Sequence, residues 1–409
     1  AAAAARGRCR QVTGLPDGTR LAPPELAAGR ELALARLREL YGSWGYLPVE
    51  VPALELFDAH HPRETQAFKL TDRGSDVLAL RSDFTPALAH LVSTTYPAVA
   101  GGAHHPLRLR YAGTVWHANH PDLAGAREFT QVGIELVGVS NARADAEIIH
   151  LARESVRAVG LAPRLEVGNP AYVRALLEAA AVPREQAPTL ADAIDRKDRA
   201  DVLALVGALG LTGRAAEAIV RVPDLYGDES VLDEARALAP SDAALQAVDR
   251  LEGVLAEFED ASELLLDLGL ARRLSYYTGV TFRAFTFDYG QPLLGGGRYD
   301  GALLPYAAGF SLGLERLMEA VPTAGPVDLA PLVLTLDDPA ARRLRAAGVR
   351  VARALAAEPA AAEAEARAAR VPFLLVAGEL RTVGAPSADV EARRRELAAL
   401  LAAPGEGEA

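Results

Sequence analysis

The segment from Leu107 to Val137 constrains this chain most. Residues 107–116 and 129–137 are rich in alternating apolar side chains, and the loop 117–127 between them is polar. Side chains of a strand point alternately to its two faces, so each run can bury one face and offer the other. Shorter runs at 68–71 and 77–81, joined by the turn Asp72-Arg73-Gly74, read the same way, as do 164–167, 264–268, 276–287, 293–297 and 308–312. Helical spacing separates them. Ala33, Leu37, Leu40 and Trp44 recur through a helix predicted over 25–43 behind Pro23-Pro24, and further helices are expected after Pro86, over 142–159 and over 313–320. The expected class is α+β, an antiparallel sheet flanked by helices.

The pattern changes along the chain. From about 169 to 251 helical periodicity takes over, broken at Pro183, Gly210, Gly213 and Pro240, which reads as a helical insertion in a main domain spanning 14–322. Its run Asp195-Arg196-Lys197-Asp198-Arg199 is expected to be a solvated helix face. Thr323-Ala324-Gly325-Pro326 reads as a linker. Beyond it, strands at 332–336 and 372–377 around a helix at 339–347 predict a small α/β domain over 327–401. Residues 1–13 and 402–409 read as disordered ends.

A chain of 409 residues, half of them hydrophobic, can bury two or three cores. Its net charge of −11 lowers the expectation of a nucleic-acid surface, although a local basic patch is compatible with it. One cysteine, Cys9, excludes an intramolecular disulfide and a cysteine metal cluster, and suits a reducing, cytoplasmic setting. No run of about 18 apolar residues is present, so no membrane helix is expected. Neither a metal nor a cofactor is called for.

Short phrases carry the chemistry. Arg127, Phe129, Gln131 and Glu135 follow the spacing Arg-x-Phe-x-Gln-x-x-x-Glu. Arg81-Ser82-Asp83-Phe84-Thr85-Pro86 sets a carboxylate and a hydroxyl ahead of a helix, where Asp83 could equally act as a cap. Leu270-Ala271-Arg272-Arg273-Leu274-Ser275-Tyr276-Tyr277-Thr278-Gly279 follows, then Gly295-Gly296-Gly297-Arg298-Tyr299-Asp300-Gly301. Ala308-Gly309-Phe310-Ser311-Leu312-Gly313-Leu314-Glu315-Arg316 closes the series. Taken in this order the phrases resemble those of class II histidyl-tRNA synthetases over about 14–322.

That resemblance implies the class II catalytic fold. The 327–401 segment is similar to a reduced anticodon-binding domain. Residues 45–55 resemble the motif that builds the dimer interface of the class, which implies a homodimer through about 25–52. The resemblance also implies a histidine site made by Asp83, Thr85, Gln131, Glu135, Arg272, Tyr276, Tyr277 and Tyr299. Gln131 and Asp83 would hold the amino group, Arg272 the carboxylate, and Glu135 with the tyrosines the imidazole, which needs an acceptor and a donor at its two nitrogens. Read as neighbours on one strand, Tyr276 and Tyr277 would face opposite ways, and the family match favours Tyr277.

The ATP site departs from the family. His117 stands where the family has its α-phosphate arginine, Asn119 where it has a glutamate, and Gly125 where it has a second loop arginine. Arginine stays charged and grips phosphate with two hydrogen bonds, whereas an imidazole with a reference pKa of about 6.5 is mostly neutral near pH 7. Losing one such contact costs roughly 10²–10³ in rate, so no catalytic residue is expected here. Asp83-x-Thr-Pro is similar to the synthetase-like regulatory subunits of ATP phosphoribosyltransferase. Membership there would imply a non-catalytic, allosteric protein of histidine biosynthesis. It would act with a short-form catalytic subunit in a hetero-oligomer, sense L-histidine for feedback inhibition, and bind neither tRNA nor membrane. A divergent histidyl-tRNA ligase remains the alternative, favoured by Arg272, the retained Arg316 and the C-terminal segment. A paralogue with another amino-acid-binding role is the third.

Overall fold

A computed structural model describes residues 14–57, 64–118, 126–271, 276–287, 289–321, 331–385 and 387–402. It divides into two compact units, Ala1–Ala324 and Gly325–Ala409. The ends expected to be disordered lie outside the described residues, apart from Ala402.

In the first unit α1 (Pro24–Ser43) starts on proline, whose missing N–H has no helical partner at that position. It buries Ala33, Leu37 and Tyr41, while Trp44 is 40% exposed. The apolar stripe therefore turns onto Tyr41 instead of continuing to Trp44. After β1 (Leu47–Pro48) come β2 (Leu54–Leu56), β3 (Phe68–Thr71) and β4 (Val77–Leu80), which form a small antiparallel sheet in the order β2-β4-β3. The helices α2 (Thr85–Thr95) and α3 (Pro97–Ala100) lead to the long pair β5 (Leu107–Trp116) and β6 (Glu128–Val137). Then follow α4 (Ala142–Ala158) and β7 (Arg164–Gly168).

The helical region holds α5 (Pro170–Ala179), α6 (Ala187–Asp195), α7 (Arg199–Ala208), α8 (Gly213–Arg221), the two-residue β8 (Tyr226–Gly227), α9 (Val231–Leu238) and α10 (Asp242–Leu255). The chain re-enters the sheet through β9 (Leu264–Asp267), β10 (Thr281–Thr286), β11 (Tyr289–Arg298) and β12 (Ala307–Gly313), and α11 (Leu314–Ala320) closes it.

Nine strands run in the order β1-β5-β6-β12-β11-β10-β7-β9-β8. The centre is antiparallel as expected, but β1–β5 and β7–β9 are parallel, so the sheet is mixed. Parallel neighbours need a long crossover, and the helical region is the crossover between β7 and β9. Strand β6 shows the two-sidedness of the sheet. Val132, Ile134 and Leu136 point into the main core with Leu37, Tyr41, Ile148 and Ile149, while Gln131, Gly133 and Glu135 face the other way.

Two expectations change. Tyr276 and Tyr277 are not strand residues, because β10 begins only at Thr281. Gly295, Gly296 and Gly297 lie in β11, as the strand expected over 293–297 requires, and pair with both β10 and β12. Added Cβ atoms at Gly296 and Gly297 would meet Phe310 and Val280, so close strand packing requires these glycines. The charged run 195–199 is only partly a solvated face. Arg196 and Arg199 make exposed ion pairs with Asp192 and Asp224, but Lys197 pairs with the buried Asp267.

In the second unit β13 (Val333–Thr335), α12 (Asp338–Ala346), β14 (Val351–Arg353), α13 (Pro359–Ala368), β15 (Phe373–Val376), β16 (Glu379–Thr382) and α14 (Ala388–Ala402) follow in turn. The sheet order is β14-β13-β15-β16, parallel except for the β15–β16 hairpin. Leu344, Phe373, Leu375 and Leu397 fill its core.

Candidate functional site

The residues singled out by pattern gather on the β6 face that turns away from the main core. Opposite Glu135 stand Leu109 of β5 and Gly309 of β12. A Cβ on Gly309 would collide with the Glu135 carboxylate, so this glycine leaves the room in which that carboxylate lies. Gly133, paired with Tyr111, likewise leaves room for the Tyr111 hydroxyl, and a Cβ on Gly113 would come within 2.9 Å of Phe84.

Glu135 is 4% exposed and is reached from two sides. Tyr299, just past the end of β11, donates its hydroxyl to Oε2 at 2.6 Å. Thr85, at the start of α2, has Oγ1 3.3 Å from Oε1 of Glu135 and 3.3 Å from Oδ1 of Asp83. Burial pushes the Glu135 carboxyl up to about 8, and the nearby Asp83 charge adds to the shift, while the Tyr299 and Thr85 hydrogen bonds oppose it. Tyr299, Tyr276 and Tyr111 are all held above the ordinary phenol range, by burial first and then by the Glu135 charge.

Asp83 lies just ahead of α2. Its Oδ1 accepts from the Thr85 backbone N–H at 3.2 Å, steadying the start of α2, and from Gln131 Nε2 at 3.2 Å. The other end of that amide, Gln131 Oε1, is a buried acceptor with no hydrogen-bond partner among the described residues. A carboxylate beside an unsatisfied carbonyl oxygen suits an ammonium group, which offers three donors and a positive charge. Arg81 in the same phrase is already used. Its guanidinium donates to the carbonyls of Val51, Pro52 and Thr114 and lies over the Phe84 ring, 4.1 Å from its centroid.

Of the two tyrosines, Tyr276 stacks on Tyr299 with ring centroids 5.3 Å apart, and its hydroxyl interacts with Thr85. Tyr277 packs edge-on against Tyr276 at 5.1 Å. Because neither belongs to a strand, the alternation expected of the pair does not apply, and Tyr276 is the ring set against the Glu135 cluster. Arg272 lies outside the described residues, and so do Asn119 and Gly125.

The His117 ring makes a 3.0 Å hydrogen bond between Nε2 and the Ser82 carbonyl and meets Phe129 edge-on. Arg127 donates to the Ala118 carbonyl at 3.0 Å and lies over Phe68. Arg316 is exposed on α11.

Sequence reasoning missed the supports. Tyr111 stacks on Phe84 at 4.5 Å behind Glu135. Arg298, 3% exposed, joins Asp145 of α4 at 2.7 Å and Asp300 at 2.8 Å, pinning the end of β11 that carries Tyr299. The pairing of Tyr111 with Gly133 was the available signal for the first. The second links α4 to β11 across 153 residues of chain and has no local signature.

With this geometry in place, its likenesses to known proteins are informative. A family profile described as histidyl-tRNA synthetase matches residues 18–317. An ATP phosphoribosyltransferase regulatory subunit of Deinococcus radiodurans is 44% identical over 351 residues, 85% of this chain and 84% of that protein. The protein of the same description from Thermus thermophilus is 44% identical over 331 residues, 80% of this chain and 89% of that one. Among solved structures, an ATP phosphoribosyltransferase regulatory subunit/histidyl-tRNA synthetase from Bacillus halodurans superposes with a TM-score of 0.75 at 27% identity, covering 89% of this chain and 97% of that chain. A histidyl-tRNA synthetase from a Nostoc species, 20% identical with a TM-score of 0.74, shares the fold.

Proposed function

From the premise that this chain belongs to the family of ATP phosphoribosyltransferase regulatory subunits, we propose that it senses free L-histidine at the Glu135 cluster and transmits that state to a separate catalytic chain. It is a regulatory subunit in histidine biosynthesis, built on a class II synthetase fold, and not itself the catalytic enzyme. The partner is a catalytic ATP phosphoribosyltransferase subunit in a hetero-oligomer, here proposed to be of the short form.

One observation carries the ligand reading. Glu135, with Tyr299 and Thr85 at its two oxygens, shares a small volume with Asp83 and the unsatisfied Gln131 carbonyl oxygen. That set offers an acceptor for an imidazole N–H and a separate seat for an ammonium. A site that reads a ligand by buried polar groups rejects analogues strongly, since the wrong ligand leaves those groups unpaired. Arg272 is proposed for the carboxylate and Tyr277 for the outer wall. A homodimer through about 25–52 is proposed on the exposed Leu26, Leu32, Trp44 and Leu47, which leave an apolar face for a second copy to cover. tRNA is not proposed as a ligand.

The experiment mixes this chain with the short catalytic subunit of the same organism. Activity should appear only in the mixture, and histidine should suppress it. Calorimetry on this chain alone should show histidine binding without histidine-dependent pyrophosphate exchange. Robust exchange would move the assignment to the ligase. A catalytic subunit fully active and histidine-sensitive by itself would remove the regulatory role.

A further inference from the structure

Lys197 stands one residue past the C-cap of α6, in left-handed backbone with φ of 60°. Helices often end in this conformation, and glycine is the residue that takes it without strain. A lysine there calls for a compensating contact. Its ammonium supplies one, as an ion pair with Asp267, whose side chain is 3% exposed at the end of β9. Two residues on, Gly269 has no side chain, and a Cβ there would lie 2.7 Å from the lysine nitrogen. A lysine thus occupies the place where the helix end favours glycine, and a glycine occupies the place where the lysine needs room.

The ion pair lies at the start of a held run, Asp267 to Ala271. Oδ1 of Asp267, which takes the lysine, also accepts from the Gly269 N–H at 2.9 Å. The Leu268 N–H donates to the Leu225 carbonyl at 3.1 Å, and the Ala271 N–H to Asp195 at 3.2 Å. On the far side Arg174 of α5 donates to the Tyr277 carbonyl at 2.9 Å. Every one of these outside anchors, Leu225, Asp195, Lys197 and Arg174, belongs to the helical region. The adjoining Tyr276 carries the ring stacked on Tyr299.

We propose that Lys197 is a positioning residue for the histidine pocket: with Asp195 and Arg174 it holds, from the helical insertion, the segment that carries Tyr276, so that pocket occupancy and the placement of α6 and α7 are linked. The inference rests on the pocket reading above. It gives the insertion a part in the binding site without any insertion residue touching the ligand. A lysine that only staples the insertion to the sheet would affect stability and leave ligand affinity alone.

The test uses the full chain with the paired change Lys197→Gly and Asp267→Asn. Glycine relieves the backbone, and asparagine leaves no buried unpaired charge while still accepting the Gly269 N–H. The unfolding midpoint in urea should stay near that of the unaltered protein. Amide exchange at 268–271 and 276–277 should quicken, and the histidine Kd should rise roughly tenfold or more, as when a group is displaced by a change remote from the ligand. Lys197→Arg, which keeps the charge, should retain most of the affinity. A Kd unchanged in the paired variant, whatever its stability, overturns the proposal. If the unaltered protein binds no histidine the pocket reading has failed, and exchange at 276–277 still decides: quickening supports Lys197 as the anchor of that segment, and unchanged exchange overturns it.

Discussion

Tyr299 donates its hydroxyl to Oε2 of Glu135 at 2.6 Å, with both residues 4% exposed. The carboxyl is nonetheless pushed up to about 8, because burial outweighs the hydrogen bonds. Unfolded, it would titrate near about 4.3. A raised folded value contributes stability that is fully present below the unfolded value and is lost as pH climbs through the folded one. Glu135→Gln removes the titration while keeping an acceptor for Tyr299. The variant should therefore gain on the natural chain as pH rises from 5 to 8.5. Urea unfolding at several pH values checks this, and a pH-independent difference would count against a buried, proton-holding Glu135.

Tyr299→Phe removes the donor but keeps the ring stacked on Tyr276. Leaving a buried carboxyl oxygen without its partner should destabilise the fold by about 1–3 kcal/mol. The hydroxyl favours the ionised carboxylate, so the loss should be larger at pH 8.5 than at pH 5.5. Equal losses at the two pH values would show that the bond does not discriminate between the charge states.

How much of this was legible in the sequence depends on whether the contact was local. The β5 and β6 runs, α1 and α4 follow from periodicity, which depends on nearby residues, whereas the association of Gln131 with Asp83 was implied only by the family resemblance. The tyrosine pair was expected in a strand, but residues 276–280 form no ladder. Thr278 and Gly279 both turn their N–H groups to the Arg298 carbonyl instead. The triple glycine reads as the end of a strand, but the crowding that requires it comes from Phe310 and Val280, which no local pattern shows. The parallel edges β1–β5 and β7–β9 were hidden because register across a long crossover leaves no local trace. The second unit's β16 and α14 were missed for a related reason: the apolar stripe of α14 is weak, with only Leu397 buried.

Gly309→Ala tests whether the space beside Glu135 is needed. The added methyl would meet the carboxylate and the Ile134 carbonyl. Overpacking of this kind should cost about 1–3 kcal/mol and weaken histidine binding. Gly290→Ala, in the same sheet with nothing within 4 Å of the new atom, is the control and should stay within about 0.5 kcal/mol. A histidine Kd equally unaffected by both changes would show that the Glu135 side of the sheet is not the ligand site.

His117→Arg asks whether the lost charge alone silences the ATP site. The present ring is engaged with the Ser82 carbonyl and Phe129, and Asn119 and Gly125 depart from the family beside it. Restoring one cation supplies only part of the phosphate cradle, so histidine-dependent pyrophosphate exchange should stay at background while histidine still binds. Exchange appearing in the single variant would mean the remaining machinery is intact and the ligase reading deserves precedence.

Tyr276 and Tyr277 separate the two accounts of the pocket wall. Tyr276 shares its stack with Tyr299, whereas Tyr277 packs edge-on against Tyr276 and its carbonyl accepts from Arg174. An aromatic pair is worth about 0.5–1.5 kcal/mol beyond its buried area, so Tyr276→Leu should raise the histidine concentration for half-inhibition of the assembled complex roughly two- to tenfold. Uninhibited activity should remain, because the change touches ligand sensing and not the catalytic chain. Tyr277→Phe keeps the ring and the backbone anchor and should shift inhibition less. Inhibition curves of the two variants beside the unaltered complex decide the matter. If Tyr277→Phe shifts the curve more than Tyr276→Leu does, the histidine ring lies on the outer side of Tyr277, and the Glu135 cluster is a structural core instead of the sensor.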